Sequence, residues 1–334
     1  MIALSEPLLS IEGLRTTFRT ANGPIAAVDG VSLRVARGRT LGIVGESGCG
    51  KSMLSLSVMR LVPQPGRISA GRVMFDGQDL AGLAAEAMRD IRGRRIGMIF
   101  QEPMTSLNPV FTVGDQITEA MRAHDRASSK ADLRARAIKA LDRVRIPAAA
   151  RRLDEYPHQM SGGMRQRVMI AMALACDPDL LIADEPTTAL DVTVQAQILD
   201  LLRDLQAQSG MAIILITHDL GVVAEMADEV AVMYAGRVVE RASGTDIFDD
   251  PQHPYTLGLL GSIPKLEESS ERLLAIEGAV PPPFALPSGC RFHPRCVFAT
   301  SACAITEPAL RDIGPSHEVS CLHAPVESLV EALS

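Results

Sequence analysis

The stretch that decides the fold of this chain reads Gly45-Glu46-Ser47-Gly48-Cys49-Gly50-Lys51-Ser52-Met53. Residues 45–52 match the pattern G-x-x-x-x-G-K-[ST] in full, and its glycines let the backbone curl so that N–H groups face an anion. The apolar run at residues 40–44 predicts a buried strand before the curl, and the pattern over residues 51–61 predicts a helix after it. We therefore expect the whole stretch to bind a nucleoside triphosphate, with Lys51 contacting the β- and γ-phosphates and Ser52 contacting Mg²⁺.

Strand and helix patterns alternate on both sides of this loop, with buried strands expected at residues 180–183, 212–217 and 230–234. The alternation predicts an α/β domain with a mainly parallel sheet over residues 8–250. A mostly helical pattern from about residue 102 to 175 indicates an inserted helical subdomain. After residue 250 proline becomes frequent and no long periodic pattern continues, so we predict a separate, loop-rich extension over residues 251–334.

The bulk properties exclude several classes of protein. The 334 residues carry a net charge of −7 and no run of Lys or Arg, which argues against nucleic acid as a partner. No apolar run approaches the roughly 20 residues of a membrane-spanning helix, and residues 1–10 lack the pattern of a signal peptide. We therefore expect the chain in the cytosol, with any membrane role depending on a partner protein.

Two carboxylates follow the apolar run at residues 180–183. Asp184 ends the expected strand, where a carboxylate can hold Mg²⁺, and Glu185 comes next. Neighbouring residues of an extended chain point to opposite sides, so one carboxylate can hold the metal while the other polarises the attacking water. Without the phosphate-binding stretch, a solvated acidic pair would be the simpler interpretation.

Ser161, Gly162 and Gly163 precede a helix expected over residues 165–175. A serine followed by glycines at a helix N-terminus leaves backbone N–H groups exposed. Taken alone, the stretch is most simply a helix cap. Beside the two other motifs, it also suits contact with a phosphate.

Together these motifs resemble the ABC ATPase family over about residues 8–250, in the family's order. The further positions that carry the resemblance are the Q-loop glutamine Gln101, the signature residue Gln166, Asp191 of the D-loop, the switch histidine His218 and, at the position of an aromatic that stacks on adenine, Phe18. Phe18 could equally be a core residue. The resemblance implies the ABC form of the P-loop NTPase fold, with a mainly parallel core sheet, an antiparallel β subdomain and an inserted helical subdomain.

The resemblance also implies a mechanism. Two such domains pack head to tail, with ATP between the phosphate loop of one subunit and the signature motif of the other. Glu185 acts as general base, and His218 contacts the γ-phosphate. Ser52, Asp184 and Gln101 contact Mg²⁺.

Two segments of the extension narrow the resemblance. Residues 251–257 and 288–296, and also 101–109, resemble oligopeptide and dipeptide importer ATPases, and a nickel importer branch shares parts of this tail. The subgroup implies a second ABC ATPase subunit (usually a related chain, possibly a second copy), two membrane permease subunits that dock near the Q-loop, and an extracytoplasmic solute-binding protein. It thus implies an ATP hydrolase that powers peptide import from the cytoplasmic side of the inner membrane. The alternatives are a nickel or other small-solute importer, a non-transport ABC ATPase, and an iron- or redox-sensing module.

Four cysteines crowd into the extension: Cys290, Cys296, Cys303 and Cys321. In a reducing cytosol such a cluster favours metal ligation over disulfides. All-cysteine sites suit either Zn²⁺ or a [4Fe–4S] cluster. The cysteines are separated by more residues than in a C-x-x-C motif. This spacing and the importer resemblance both favour the [4Fe–4S] cluster. The remaining alternative is four free thiols.

Overall fold

The structure is a computed structural model that describes residues 6–21, 23–101, 106–188, 190–262 and 276–326. The chain divides into two compact units. The helical unit comprises Met1–Leu8, Val35–Arg39 and Gly82–Ile216. The phosphate-loop unit comprises Leu9–Arg34, Thr40–Ala81 and Thr217–Ser334.

Strands and helices alternate through much of the described chain. In chain order they are β1 Leu9–Thr20, β2 Gly23–Val35, β3 Thr40–Val44, α1 Lys51–Val58, β4 Gly66–Phe75, β5 Gln78–Asp79, α2 Ala85–Ile91, β6 Ile96–Ile99, α3 Val113–Arg122, α4 Lys130–Arg143, α5 Ala149–Arg152, α6 Gly162–Ala173, β7 Leu180–Asp184, α7 Val192–Ser209, β8 Ala212–Ile216, α8 Leu220–Met226, β9 Glu229–Tyr234, β10 Arg237–Ser243, α9 Gly244–Asp249, α10 Pro254–Gly261, α11 Ser301–Ile305, β11 Arg311–Gly314 and β12 His317–Val319. Short 3₁₀ helices cover Pro157–Gln159 and His293–Arg295.

The phosphate-loop unit contains an antiparallel sheet in the order β2-β1-β4-β5. β1 and β4 pair from Leu9 opposite Phe75 to Phe18 opposite Gly66. Alternate residues at the end of β2 are buried, as expected for a sheet with one face on a core. This sheet is the antiparallel β subdomain that the family resemblance implies.

A second sheet of the same unit leads into the phosphate loop. β3 pairs in parallel with β9, β9 pairs antiparallel with β10, and β12 pairs antiparallel with both β10 and β11. Its core includes the buried side chains of Val44, Val232, Tyr234, Tyr255 and Phe292. The last two come from the extension, which therefore shares a core with the strand before the phosphate loop.

The helical unit is built on the parallel strands β6, β7 and β8. Every residue of β7 and β8 is buried, as in parallel sheets that are covered on both faces. Helices α3 to α6 lie between β6 and β7 in the chain, within the range predicted for the helical subdomain. Residues 102–105 of that range lie outside the described residues.

The extension contains structure that the sequence pattern did not predict. It forms α10 and α11 and adds β11 and β12 beside β10. The buried carboxylate of Glu240 in β10 accepts hydrogen bonds from the N–H groups of Gln252 (2.6 Å) and His253 (2.9 Å), and it lies 2.8 Å from His317 Nε2. One carboxylate thus contacts both the start of the extension and its strand β12. The domain boundary at residue 250 stays a prediction.

Candidate functional site

The loop between β3 and α1 has the curl that the sequence predicts. Gly45, Gly48 and Gly50 have positive φ angles of 148°, 82° and 108°, a region that disfavours other residues. A Cβ atom at position 45 would overlap the carbonyl oxygen of Met233, and one at position 50 would lie 2.5 Å from that of Ala27. Steric contact with neighbouring backbone therefore requires glycine at two of these positions.

Lys51 is folded back into the loop. Its side chain is buried, and Nζ donates hydrogen bonds to the carbonyl oxygens of Gly45 (2.6 Å) and Glu46 (3.0 Å). Cys49 Sγ lies 3.8 Å from Nζ, and burial raises the pKa of this thiol, so Cys49 packs as a neutral group. Ser52 follows in the first turn of α1 and is partly exposed. The loop thus holds an ammonium group where phosphate oxygens could replace its carbonyl partners.

Glu46 connects the loop to the C-terminal part of the chain. Its backbone N–H donates to the hydroxyl of Tyr255 at 2.8 Å, and its carboxylate accepts hydrogen bonds from Arg295 at 2.7 and 2.8 Å. The sequence motifs indicate neither Tyr255 nor Arg295 as a residue of the site. Both residues lie in segments that carry the importer resemblance, residues 251–257 and 288–296. The sequence of these segments does not indicate a contact with Glu46.

The acidic end of β7 brings two predicted residues together. Asp184 is buried as the last residue of the strand. Glu185 accepts hydrogen bonds on Oε2 from Gln101 Nε2 (3.1 Å) and Thr188 Oγ1 (2.8 Å). The sequence pattern predicts an extended backbone at both carboxylates. Glu185 instead has a φ of 49°, a left-handed conformation that costs about 1–2 kcal/mol for a residue other than glycine and that clusters at functional sites.

The stretch of Ser161 and its glycines starts α6. Ser161 is the N-cap, and its Oγ accepts the N–H of Met164 at 3.3 Å, so the helix begins at Gly162 rather than near residue 165. Ser161 and Gly162 are exposed, whereas a Cβ atom on Gly163 would lie 2.9 Å from Val194 Cγ1. The start of α6 therefore fits both interpretations: Ser161 caps the helix, and the N–H groups beside it are exposed.

Gln166 and Asp191 have structural contacts in the helical unit. Gln166 is buried, and its Nε2 donates to the carbonyl oxygen of Pro186, the residue after Glu185. Asp191 is the N-cap of α7, and its Oδ1 accepts the N–H of Val194 at 2.9 Å. Direct contact of either side chain with a nucleotide stays a prediction.

His218 and Phe18 belong to the phosphate-loop unit. His218 is exposed in a bend where Thr217 Oγ1 accepts the N–H of Asp219 at 3.0 Å. Phe18 lies in β1, where it pairs with Gly66 of β4. It is partly buried, and its ring fills the space that a side chain at Gly66 would need. Its contact with adenine, and the joint action of both units on one nucleotide, stay predictions.

The four cysteines of the extension, Cys290, Cys296, Cys303 and Cys321, line one cavity as free thiols. Cys303 Sγ lies 3.4 Å from His323 Nε2. Burial raises the pKa of Cys290 and Cys321, and that of Cys296 to about 12. Across the residues that the structure describes, no group of three or more His, Cys, Asp or Glu side chains is arranged to hold a metal ion. The cavity gathers the predicted side chains without forming a finished metal site.

A curled glycine loop around a buried lysine, together with an acidic end to a parallel strand, defines a nucleotide-binding protein of the P-loop class. The family described as "ABC transporter" matches residues 28–188, and the family described as "Oligopeptide/dipeptide transporter, C-terminal region" matches residues 239–303. No helix in the described ranges is both long and apolar enough to cross a bilayer.

Relatives match almost the whole chain. A "Putative peptide import ATP-binding protein" of Brucella abortus (strain 2308) is 54% identical over 329 residues, which cover 95% of this chain and 97% of the relative. A second protein so named from that strain is 54% identical over 304 residues, which cover 91% of each chain. The chain therefore belongs to the ABC transporter family, as an ATP hydrolase with a C-terminal region of the oligopeptide/dipeptide type.

Solved structures confirm the predicted fold class. The dimeric post-hydrolysis state of the ATP-binding cassette MJ0796, bound to ADP and Pi, aligns with a TM-score of 0.64 and 28% identity over 70% of this chain and 98% of that one. The protein cbiO1 from Clostridium perfringens, part of the ABC transporter complex cbiONQ, aligns with a TM-score of 0.63 and 29% identity over 73% of this chain and 91% of that one.

Proposed function

We propose that this chain hydrolyses ATP to power the import of di- or oligopeptides, at the cytoplasmic face of the inner membrane. The observation that carries the proposal is the combination of a complete phosphate loop with a C-terminal region of the oligopeptide/dipeptide type at residues 239–303. A second ABC ATPase subunit, two membrane permease subunits and an extracytoplasmic solute-binding protein complete the proposed importer. This chain supplies the energy, and the other subunits select the peptide.

Nucleotide binding begins with an exchange of partners at Lys51. The ammonium group leaves the carbonyl oxygens of Gly45 and Glu46 and binds β- and γ-phosphate oxygens, which are stronger acceptors because they are charged. The N-terminus of α1 adds backbone N–H groups and the positive end of its dipole. Phe18 stacks on the adenine.

Ser52, Asp184 and Gln101 are the proposed contacts of Mg²⁺. A hydroxyl, a carboxylate and an amide offer the hard oxygen ligands that this ion prefers. When bound, Mg²⁺ neutralises charge that develops on the phosphates. The burial of Asp184 at the end of β7 favours a carboxylate that stays in one position.

Hydrolysis uses Glu185 as general base. The carboxylate takes a proton from water while the water oxygen bonds to the γ-phosphorus. The bond from that phosphorus to the bridging oxygen breaks, and the bridging oxygen keeps the electron pair, which gives ADP and inorganic phosphate. His218 contacts the γ-phosphate, and Gln101 holds the carboxylate.

The signature stretch acts on the nucleotide of the partner subunit. Ser161 and Gly162 are exposed at the N-terminus of the 12-residue helix α6, where N–H groups attract an anion. A head-to-tail pair of subunits lets each signature stretch cover the γ-phosphate held by the other subunit. Efficient hydrolysis therefore requires two subunits.

Nucleotide binding is tested on the purified full chain with a fluorescent ATP analogue. Binding should require Mg²⁺, and Lys51→Ala should weaken it by about tenfold or more, because one charged hydrogen-bond donor is lost. Replacement of Lys139, an exposed lysine of α4, by Ala is the matched control. Unchanged binding by Lys51→Ala contradicts the proposed site.

Peptide import is tested in cells that lack the chain. Uptake of labelled di- and oligopeptides should fall, and wild-type chain should restore it whereas Lys51→Ala should not. Normal peptide uptake with loss of another solute, such as nickel, would assign the ATPase to a different importer.

We propose further that Cys290, Cys296, Cys303 and Cys321 ligate a [4Fe–4S] cluster. Four thiols on one cavity suit the donor set of such a cluster. Because ATP hydrolysis transfers no electrons, we propose a structural or sensor role for the cluster rather than a catalytic one. Anaerobic purification should give a brown protein with about four irons per chain. Cys176 lies outside the cavity, so the variant Cys176→Ser should retain the iron. The variant Cys303→Ser should lose the iron. A colourless, zinc-loaded protein refutes the assignment.

A further inference from the structure

Glu46, the second residue of the phosphate loop, is held from the C-terminal region at two points. The Tyr255 hydroxyl accepts its backbone N–H at 2.8 Å. The Arg295 guanidinium donates to both carboxylate oxygens, at 2.7 and 2.8 Å. A bidentate contact of this kind fixes orientation as well as position.

Arg295 is a rigid anchor for this contact. Its side chain is only 6% exposed, and its Nε donates to the carbonyl oxygen of Glu277 at 2.9 Å. Its guanidinium also lies 5.8 Å from the ring centroid of Tyr234 and 6.0 Å from that of Phe292, within the range of cation–π attraction. The pKa of Arg295 is raised, first by its hydrogen bonds to Glu46, so the guanidinium stays charged.

Tyr255 is equally constrained. It is fully buried in the core beside β9, and its ring lies 4.7 Å from that of Tyr234 in an edge-to-face contact. Burial raises the pKa of its hydroxyl, so Tyr255 stays neutral. Both groups that hold Glu46 are therefore set by the packing of the C-terminal region.

The same residue also contacts the lysine of the loop. The carbonyl oxygen of Glu46 accepts a hydrogen bond from Lys51 Nζ at 3.0 Å. This contact is exchanged for phosphate oxygens in the proposed binding step, whereas the contacts to the N–H and the carboxylate of Glu46 need not change. Tyr255 and Arg295 therefore restrict the backbone at the second position of the loop independently of Lys51.

We propose that Arg295 and Tyr255 are positioning residues of the nucleotide site, which act through Glu46 so that the C-terminal region sets the affinity for ATP. The inference rests on the proposed phosphate site at Lys51. An ordered loop pays less conformational entropy when it binds a ligand. Loss of the contact should therefore raise Kd and KM for ATP, with little change in kcat at saturation.

A double-mutant cycle tests the proposal, with Mg²⁺ and a fluorescent ATP analogue as the probe. Arg295→Gln and Glu46→Gln should each raise Kd by about tenfold, the scale of one charged hydrogen bond. The double variant should be no weaker than either single variant, because the two side chains act through one contact. Arg295→Lys should restore part of the affinity, since it keeps the charge but not the bidentate geometry. Unchanged Kd in Arg295→Gln overturns the proposal.

Arg291→Gln is the matched control. Arg291 lies in the same segment, and its side chain is 11% exposed, but it pairs with Asp29 of β2 instead of the phosphate loop. This variant should unfold more easily while its Kd for nucleotide stays within about twofold of wild type. An equal rise in Kd for Arg291→Gln and Arg295→Gln indicates general loosening of the C-terminal region and overturns the proposal.

Tyr255→Phe replaces Arg295→Gln as the test if Arg295→Gln does not fold. It removes one hydroxyl and should raise the Kd for nucleotide by about threefold or more. An unchanged Kd counts against the proposal.

Lys51→Ala distinguishes failure of the positioning role from failure of the proposed phosphate site. If Lys51→Ala loses binding while the Arg295 and Tyr255 variants keep it, only the positioning role is wrong. If Lys51→Ala keeps binding, the phosphate site itself is wrong.

Discussion

The side-chain amide of Gln101 donates a hydrogen bond to Oε2 of Glu185 at 3.1 Å. Thr188 Oγ1 donates to the same oxygen at 2.8 Å, and the left-handed backbone of Glu185, with a φ of 49°, fixes the origin of its side chain. A carboxylate held in this way needs little reorganisation to meet a water molecule, which is the requirement for efficient general-base catalysis.

Replacement of Glu185 by Gln should slow hydrolysis sharply without abolishing ATP binding. Glutamine keeps the size of the side chain but cannot accept the proton from water, so kcat should fall by about 100- to 10,000-fold. ATP should then trap the subunits as a stable dimer, which size-exclusion chromatography with Mg²⁺ and ATP can detect.

The matched control for this carboxylate is Glu119→Gln on the exposed face of α3, which should hydrolyse ATP at the wild-type rate. Ordinary turnover by Glu185→Gln would show that another group activates the water.

A substitution series at Ser161 separates its two interpretations. Asn and Asp cap helices about as well as Ser, so Ser161→Asn and Ser161→Asp should both keep the stability of α6. Only Asp places a negative charge where the γ-phosphate of the partner subunit is expected. ATP-dependent dimerisation should therefore survive Ser161→Asn far better than Ser161→Asp. Equal dimerisation by both variants would leave Ser161 as a cap alone.

Much of the fold could be predicted because buried parallel strands leave a strong local signal. The apolar runs at residues 40–44 and 180–183 correspond to β3 and β7, each within one residue of its bounds. The loop that follows β3 was also predictable, since its glycines are required by local backbone geometry and close contacts.

Contacts between distant parts of the sequence could not be predicted in this way. Glu46 and Arg295 are 249 positions apart, and neither residue type signals a partner. The strands β11 and β12 are only four and three residues long, too short to show a periodic pattern. The left-handed backbone of Glu185 depends on its neighbours in space rather than on its own preference, because a glutamate normally avoids that conformation.

Gly50→Ala should destabilise the chain more than an alanine at another left-handed glycine. A Cβ atom at Gly50 would lie 2.5 Å from the carbonyl oxygen of Ala27, so a clash adds to the backbone strain. Gly77, with a φ of 78° and nothing within 4 Å of an added Cβ, is the matched control. Urea unfolding should show a loss of about 3 kcal/mol for Gly50→Ala and about 1 kcal/mol for Gly77→Ala. Equal losses would mean that the loop shifts to accept the methyl group.

Asp29→Asn should destabilise the chain in a pH-dependent way. Asp29 in β2 is 9% exposed, and it pairs with Arg237 at 2.9 Å, with Arg15 at 3.0 Å and with Arg291 of the extension. Burial raises its pKa, but the hydrogen bonds from Arg291 and Arg237 outweigh burial and lower that pKa below its ordinary value of 3.8. At pH 7 the variant should lose about 1–3 kcal/mol, because Arg237 and Arg291 lose one of their counter-charges and keep only Glu307.

The pH dependence of this loss follows from the lowered pKa of Asp29. Because the folded chain keeps the carboxylate ionised, the stabilisation is complete above pH 3.8 and disappears as the pH falls through the lower folded pKa. The difference in unfolding free energy between wild type and Asp29→Asn should therefore shrink in acid, where the wild-type side chain is itself neutral. Asp154→Asn removes an exposed ion pair with Arg134, and it should have little effect at any pH because solvent screens the pair. A difference at Asp29 that stays constant from neutral pH into acid would show that the arginines act on shape and packing rather than on charge.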